Sequence, residues 1–188
     1  MATHNQLFAS TDGGFQGSNA IVDNTSEFYL DVGKSAAFAE LIIADTSANL
    51  NLTDYGTVLG IEVIIEDSYG DLGGGTDPNT FDTSLYHAGS TSYTDAITTE
   101  VTNESDDPIH RNIGGAENTW GKTWSTNDIN DLRVKLNNPT EPNGGNSIAL
   151  IGTFVYARIT YNIPGAYLPT LTIETGKINL QQGNITIS

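Results

Sequence analysis

The chain has 188 residues, 37% of them apolar, enough to bury one sizeable core in a single domain. Its 23 acids against 7 bases give a net charge of −16, which opposes long-range attraction to nucleic acid or to an anionic membrane and argues against either as a partner. There is no cysteine, so disulfides, thiolate metal sites and cysteine catalysis are excluded, and no apolar run reaches transmembrane length.

In chain order, the opening MATHNQLFAS has neither a basic n-region nor an apolar h-region, so no secretion signal is expected. Residues 1–27 are polar and Gly-rich, with Phe8 and Phe15 as isolated anchors, and predict an irregular entry arm. Strands are predicted over 28–32, 40–44 and 49–53 from short alternating or apolar runs. A turn over 54–57 leads into the first strong strand, 58–66, rich in β-branched residues. Residues 67–79 read as a loop. A strand over 81–87 puts Phe81, Thr83 and Leu85 on one face, and another is predicted over 97–102. Residues 104–115 are polar and end in a Gly-Gly pair.

The stretch 115–136, GAENTWGKTWSTNDINDLRVKL, is the most distinctive. It holds the chain's two tryptophans, Trp120 and Trp124, flanking Gly121 in polar surroundings. A capped helical turn follows, with Ser125 or Thr126 as the cap, and then an alternating run from Leu132 to Leu136. Residues 137–147 read as a Pro/Gly/Asn loop, and 148–161 as the longest strand, with Val155, Ala157, Ile159 and Tyr161 as its core face. A Pro-flanked linker over 164–169 then separates a terminal segment in which Leu171, Ile173, Ile178, Leu180, Ile185 and Ile187 alternate with mostly polar residues.

These signals predict an all-β fold, an antiparallel β-sandwich of jelly-roll-like type over 1–163, with a linker and an extended C-terminal β arm over 164–188. Isolated strand pairs are marginal in water. The arm therefore needs a partner surface, either the domain's own sheet or another subunit.

Candidate chemistry is sparse. Asp67, Asp71 and Asp77 line a Gly-rich stretch and are of the right type for calcium, but their spacing is not that of an EF-hand, and a solvated loop explains them better. The same holds for Glu104, Asp106 and Asp107. His4, His87 and His110 form no His-x-x-x-His pair, and His110 beside Arg111 reads as an exposed loop pair. No Gly-x-Ser-x-Gly elbow is present, and Gly73-Gly74-Gly75 lacks the Lys-Ser/Thr of a phosphate loop. The carboxylates are too many to single out a glycosidase dyad. Trp120, Trp124, Tyr86 and Tyr93 are the residue types of a sugar-stacking platform, but aromatics in a sandwich serve more often as packing. No catalytic, cofactor or metal site is expected, and Trp120 and Trp124 are expected to be a structural corner.

Three motifs carry a resemblance. The run from Val58 to Glu66 resembles the GI-x-V-x-I strand of β-sandwich virion proteins of tailed bacteriophages and prophages. Trp120-Gly121-Lys122-Thr123-Trp124-Ser125, followed by Asp128-Ile129-Asn130, is similar to their W-G-x-x-W-(T/S)…I-N corner. The run from Val155 to Tyr161 looks like their terminal V-x-V-x-Y strand. The order agrees over roughly residues 20–161; Leu132-Arg133-Val134 replaces a Phe-Gly-containing strand, and the arm lies outside the shared pattern. The resemblance implies a non-enzymatic structural protein of the virion, either a capsid decoration or cement protein or head fibre, or a tail appendage. It implies a homo-oligomer, with a trimer preferred over a dimer, contacts with other virion proteins such as the major capsid protein, and contact with host surface glycans in the alternative role of carbohydrate-binding module.

Overall fold

The computed structural model describes residues 1–7, 10–12, 27–31, 40–44, 56–71, 79–102, 106–137, 148–163, 170–174 and 177–181. Its strands in chain order are β1 (Ala2–Leu7), β2 (Ser10–Asp12), β3 (Phe28–Asp31), β4 (Glu40–Ala44) and β5 (Val58–Asp71). Then come β6 (Asn79–His87), β7 (Ser92–Tyr93), β8 (Ile97–Val101) and β9 (Ile109–Gly114). Among the described residues one short α-helix, α1 (Thr126–Asn130), precedes β10 (Arg133–Asn137), β11 (Ile148–Gly152) and β12 (Phe154–Tyr161). A hairpin of β13 (Thr170–Glu174) and β14 (Lys177–Gln181) follows.

Every pairing among the described residues is antiparallel. In the first sheet β1 and β3 flank β12 and β11, which pair with the long β5, and β5 pairs with β9 on its other side. In the second the order is β2-β4-β10-β6, with β7 and β8 both on the far side of β6. Between β4 and β12 the chain crosses from one sheet to the other five times. The resulting neighbours, β1/β3–β11/β12–β5–β9 facing β4–β10–β6–β7/β8, are those of a jelly roll. The fold is thus an all-β antiparallel sandwich.

Alternation decides the faces. Ile61, Val63 and Ile65 of β5, Phe81 and Leu85 of β6, Val134 and Leu136 of β10, and Val155, Ala157 and Ile159 of β12 fill one core between the sheets. Each is the inward member of a period-two pattern.

Four expectations change. The entry arm is not irregular where it is described: β1 pairs residue by residue with β12, from Ala2 opposite Tyr161 to Leu7 opposite Tyr156. Its polar sequence suits an edge strand with only one paired side. β5 runs through the predicted loop to Asp71, passing a bulge near Asp67, whose φ is +44°. The polar stretch before the Gly-Gly pair contains β9, in which Arg111 and Ile113 point inward. The single long strand is two, β11 and β12, interrupted at Thr153, whose N–H donates to Glu66 O at 3.0 Å. Phe8, Phe15 and the predicted strand over 49–53 lie outside the described residues.

Candidate functional site

The two tryptophans sit where β9 ends and the chain turns back toward the second sheet. The last β5–β9 pair is Glu62 opposite Gly114, so Ile61 on that side of β5 has no strand partner. The following loop replaces it. Ile61 N–H donates to Asn118 O at 2.9 Å, and Ile61 O accepts from Gly115 N–H at 3.3 Å and from the Trp120 indole Nε1 at 2.8 Å. An otherwise orphaned backbone pair is thereby satisfied.

Two glycines make the seat. A Cβ on Gly60 would lie 2.4 Å from Ala116 C and from Gly115 O, so only glycine lets the loop cross β5 there. Gly114 has φ +91°, and a Cβ would stand 2.5 Å from Ile61 O and 3.0 Å from the Trp120 ring. Trp120 and Gly121 then have φ +55° and +69°, and Lys122 N–H closes on Thr119 O at 3.1 Å. Positive φ at both central positions is the pattern of a type I′ turn. Trp120 N–H is held by Asn118 Oδ1 at 2.8 Å.

Trp124 lies beside α1. It is 4% exposed and Trp120 6%, so neither offers a face to a ligand. Its Nε1 donates to Thr119 O at 2.8 Å, and its ring meets the His87 imidazole edge-on at 5.1 Å between centroids. Of the two predicted caps, Ser125 rather than Thr126 is the N-cap of α1, in a capping box with Asp128. Asp128 Oδ2 accepts from Ser125 N–H at 2.8 Å and Ser125 Oγ at 2.5 Å, while Oδ1 accepts from Gly89 N–H at 2.6 Å. Burial alone raises this carboxyl, but the hydrogen bonds from Ser125 and Gly89, with His87 alongside, outweigh it and hold Asp128 below the usual carboxylate range.

His87 ties the corner to the end of β6. Its Nδ1 accepts from Ser90 N–H at 3.0 Å, so Nε2 carries the proton toward Thr123 O at 3.0 Å, with Asp128 Oδ2 at 3.5 Å. Ser90 Oγ is also 3.0 Å from Nδ1. These are the residue types of a nucleophilic triad, but the atoms are committed elsewhere. Nδ1 caps a turn, Nε2 faces a carbonyl, and both Asp128 oxygens serve α1 and Gly89, whereas a triad carboxylate orients its imidazole. Chemically the cluster is a brace between α1 and the end of β6.

The other candidates are dispersed. In the hairpin, Leu171 stands opposite Leu180 and Ile173 opposite Ile178, so four of the six apolar arm positions form two opposed pairs. Ile185 and Ile187 lie outside the described residues. The hairpin forms a two-stranded sheet of its own. Asp67 and Asp71 belong to β5 rather than to a loop, and Asp77 lies outside the described residues. Among the described residues no three His, Asp or Glu side chains converge as metal ligands.

His110 is exposed on β9, but Arg111 is not the exposed loop residue expected. It is 9% exposed, and its Nη1 donates to Glu100 O of β8 at 3.2 Å, bridging the two sheets at their open edge. Burial lowers its pKa from the ordinary arginine value. Tyr86 and Tyr93 part company with the tryptophans: they are half-buried on the outer face of the second sheet, edge-to-face at 5.5 Å. Arg133 lies 4.5 Å over Tyr86 and Lys135 5.3 Å over Tyr93. The roles of Gly60, His87 and Asp128 were not predicted; Asp128 three residues after Ser125 was the one legible signal, as a capping box.

No protein-family model and no curated protein matches the chain.

Proposed function

We propose that this chain is a non-enzymatic structural protein of a tailed-bacteriophage virion, a capsid decoration, cement or head-fibre component that assembles through strand and arm contacts. Fold alone does not decide this, because jelly rolls serve both capsids and lectins. The observation that carries the proposal is the tryptophan corner. Both indole N–H groups are spent on backbone carbonyls and both rings are buried, so the most distinctive motif is architecture. The separate hairpin, with its opposed apolar pairs, supplies an element suited to a neighbouring subunit or to another virion protein such as the major capsid protein.

The alternative, a tail appendage or a carbohydrate-binding module, draws on Tyr86 and Tyr93, the surface members of the aromatic set. In this structure Arg133 and Lys135 occupy the ring faces a sugar would stack on.

Quantitative mass spectrometry of purified particles tests the proposal. Hundreds of copies per particle support a head location, and a handful to a dozen support the tail. Absence from the particle, or glycan binding lost on Tyr86→Ala with stability unchanged, contradicts the structural role.

A further inference from the structure

The edge of a sheet presents unpaired backbone N–H and C=O groups, and proteins blunt such edges with charge, proline, bulges or short length. Among the described residues, every edge strand of the sandwich but one carries such a device. β2 is three residues long and ends in Asp12. β3 ends in Asp31, and its ladder to β11 shifts register. β7 is two residues long, and β8 holds Glu100. β9 turns Arg111 inward, and its ladder to β5 shifts register. β1 has none of these. Its six residues, Ala-Thr-His-Asn-Gln-Leu, include no Asp, Glu, Lys, Arg or Pro. Its register runs unbroken from Ala2 opposite Tyr161 to Leu7 opposite Tyr156, and β12 is its one strand partner among the described residues. Thr3 and Asn5 alternate with Ala2, which packs against the core, and both are exposed.

We propose that β1 pairs antiparallel with β1 of a second copy, about a two-fold axis perpendicular to the sheet, joining the two first sheets into one. An antiparallel strand is its own complement: the N–H and C=O groups of one copy meet those of the other, and each bond is made twice, as an isologous contact requires. The occupant is a second copy because identical strands match in length and pleat with no complementary sequence needed. Charge agrees. Two chains of net charge −16 repel, and β1 is a line of approach without an acid. On the same outer face Arg158, opposite Asn5, is neutralised by Glu62 at 3.1 Å. Paired residues share a face, so the axis passes through a residue rather than between two. Centred on His4, it sets Thr3 opposite Asn5 of the second copy and Ala2 opposite its Gln6. Six paired residues make a small contact, so the pairing is weak in dilute solution and is favoured where copies are crowded on a common surface. This inference specifies the strand contact of the proposed function and rests on no other part of it.

Sedimentation velocity on the full chain over a concentration series tests it, with circular dichroism melting as the control for folding. The double variant Thr3→Lys/Asn5→Lys puts like charges opposite one another twice and should weaken self-association about tenfold. Thr3→Glu/Asn5→Glu should do the same. An equimolar mixture of the two should restore association, because each mixed pair opposes unlike charges. Without any variant, amide hydrogen exchange in β1 of the wild-type chain should slow as concentration rises, while that of β8 does not change. The inference is overturned if the wild-type chain stays monomeric, if the variants associate as it does, if the mixture associates no better than either variant alone, or if exchange in β1 is independent of concentration. Any of these results leaves incorporation into particles a separate question, answered by the copy number.

Discussion

Trp120 occupies a left-handed backbone position, which costs a bulky residue about 1–2 kcal/mol. Burying an indole removes about 150–250 Å² from water, worth roughly 4–6 kcal/mol, so packing outweighs the strain. Trp124 has no such strain to offset. Trp124→Ala should destabilise the fold by about 3–5 kcal/mol, seen as a sharp fall in melting temperature. An unchanged melting temperature would mean that the ring is not a packing element. Gly60→Ala should cost about 1–3 kcal/mol by pushing the loop at Ala116 off β5, although no glycine-specific φ is involved. Asp128 gives a pH-dependent check. Its folded pKa is depressed, so its contribution is complete above the unfolded value of about 4 and is lost as pH falls through the lower folded value. Asp128→Asn should lower the urea midpoint at neutral pH, with a loss of about 0.5–2 kcal/mol. The gap to wild type should narrow as pH falls below that unfolded value. A gap that does not change with pH would show that the carboxylate charge is not what matters.

At the scale of elements, the tryptophan loop acts as a surrogate strand for the end of β5. Trp120→Ala should therefore speed hydrogen exchange at Ile61 and Gly115 far more than at Val63 or Ile65, which sit within the β5 ladder. Equal acceleration throughout β5 would mean that the loop supports the whole sheet rather than its end. The strands found from sequence were those with β-branched, apolar or alternating runs: β3, β4, the first nine residues of β5, β6, β8, β10, the joined β11 and β12, and the β13–β14 pair. The capped helix was legible because Ser125 and Thr126 are capping residue types standing just before Ile129. Strands missed were edges. β1 spells Ala-Thr-His-Asn-Gln-Leu, and β9 places Arg111 where an apolar residue is expected. Arg111 hid β9 because its role, reaching a β8 carbonyl across the open side of the sandwich, depends on a contact eleven residues away in sequence. The same applies to the site: two neighbouring tryptophans are visible in sequence, whereas Gly60 becomes meaningful only once residues 115 and 116 are seen crossing above it.

At the scale of the molecule, the sandwich and the hairpin are different kinds of object. The sandwich buries its apolar residues between two sheets. The hairpin is a two-stranded sheet, a form too small to be stable alone in water. Its stability must come from a surface it covers, and the proposed function assigns that surface to an assembled particle. Net charge of −16 keeps free copies apart, so association depends on specific contacts rather than on general stickiness. Deleting residues 165–188 tests this division most directly, by circular dichroism on the truncated chain and by its copy number in purified particles. The account predicts a native-like β spectrum with cooperative melting, together with a steep loss of particle-bound copies. A truncated chain that fails to fold, or one that folds and occupies particles as fully as the intact protein, would contradict it.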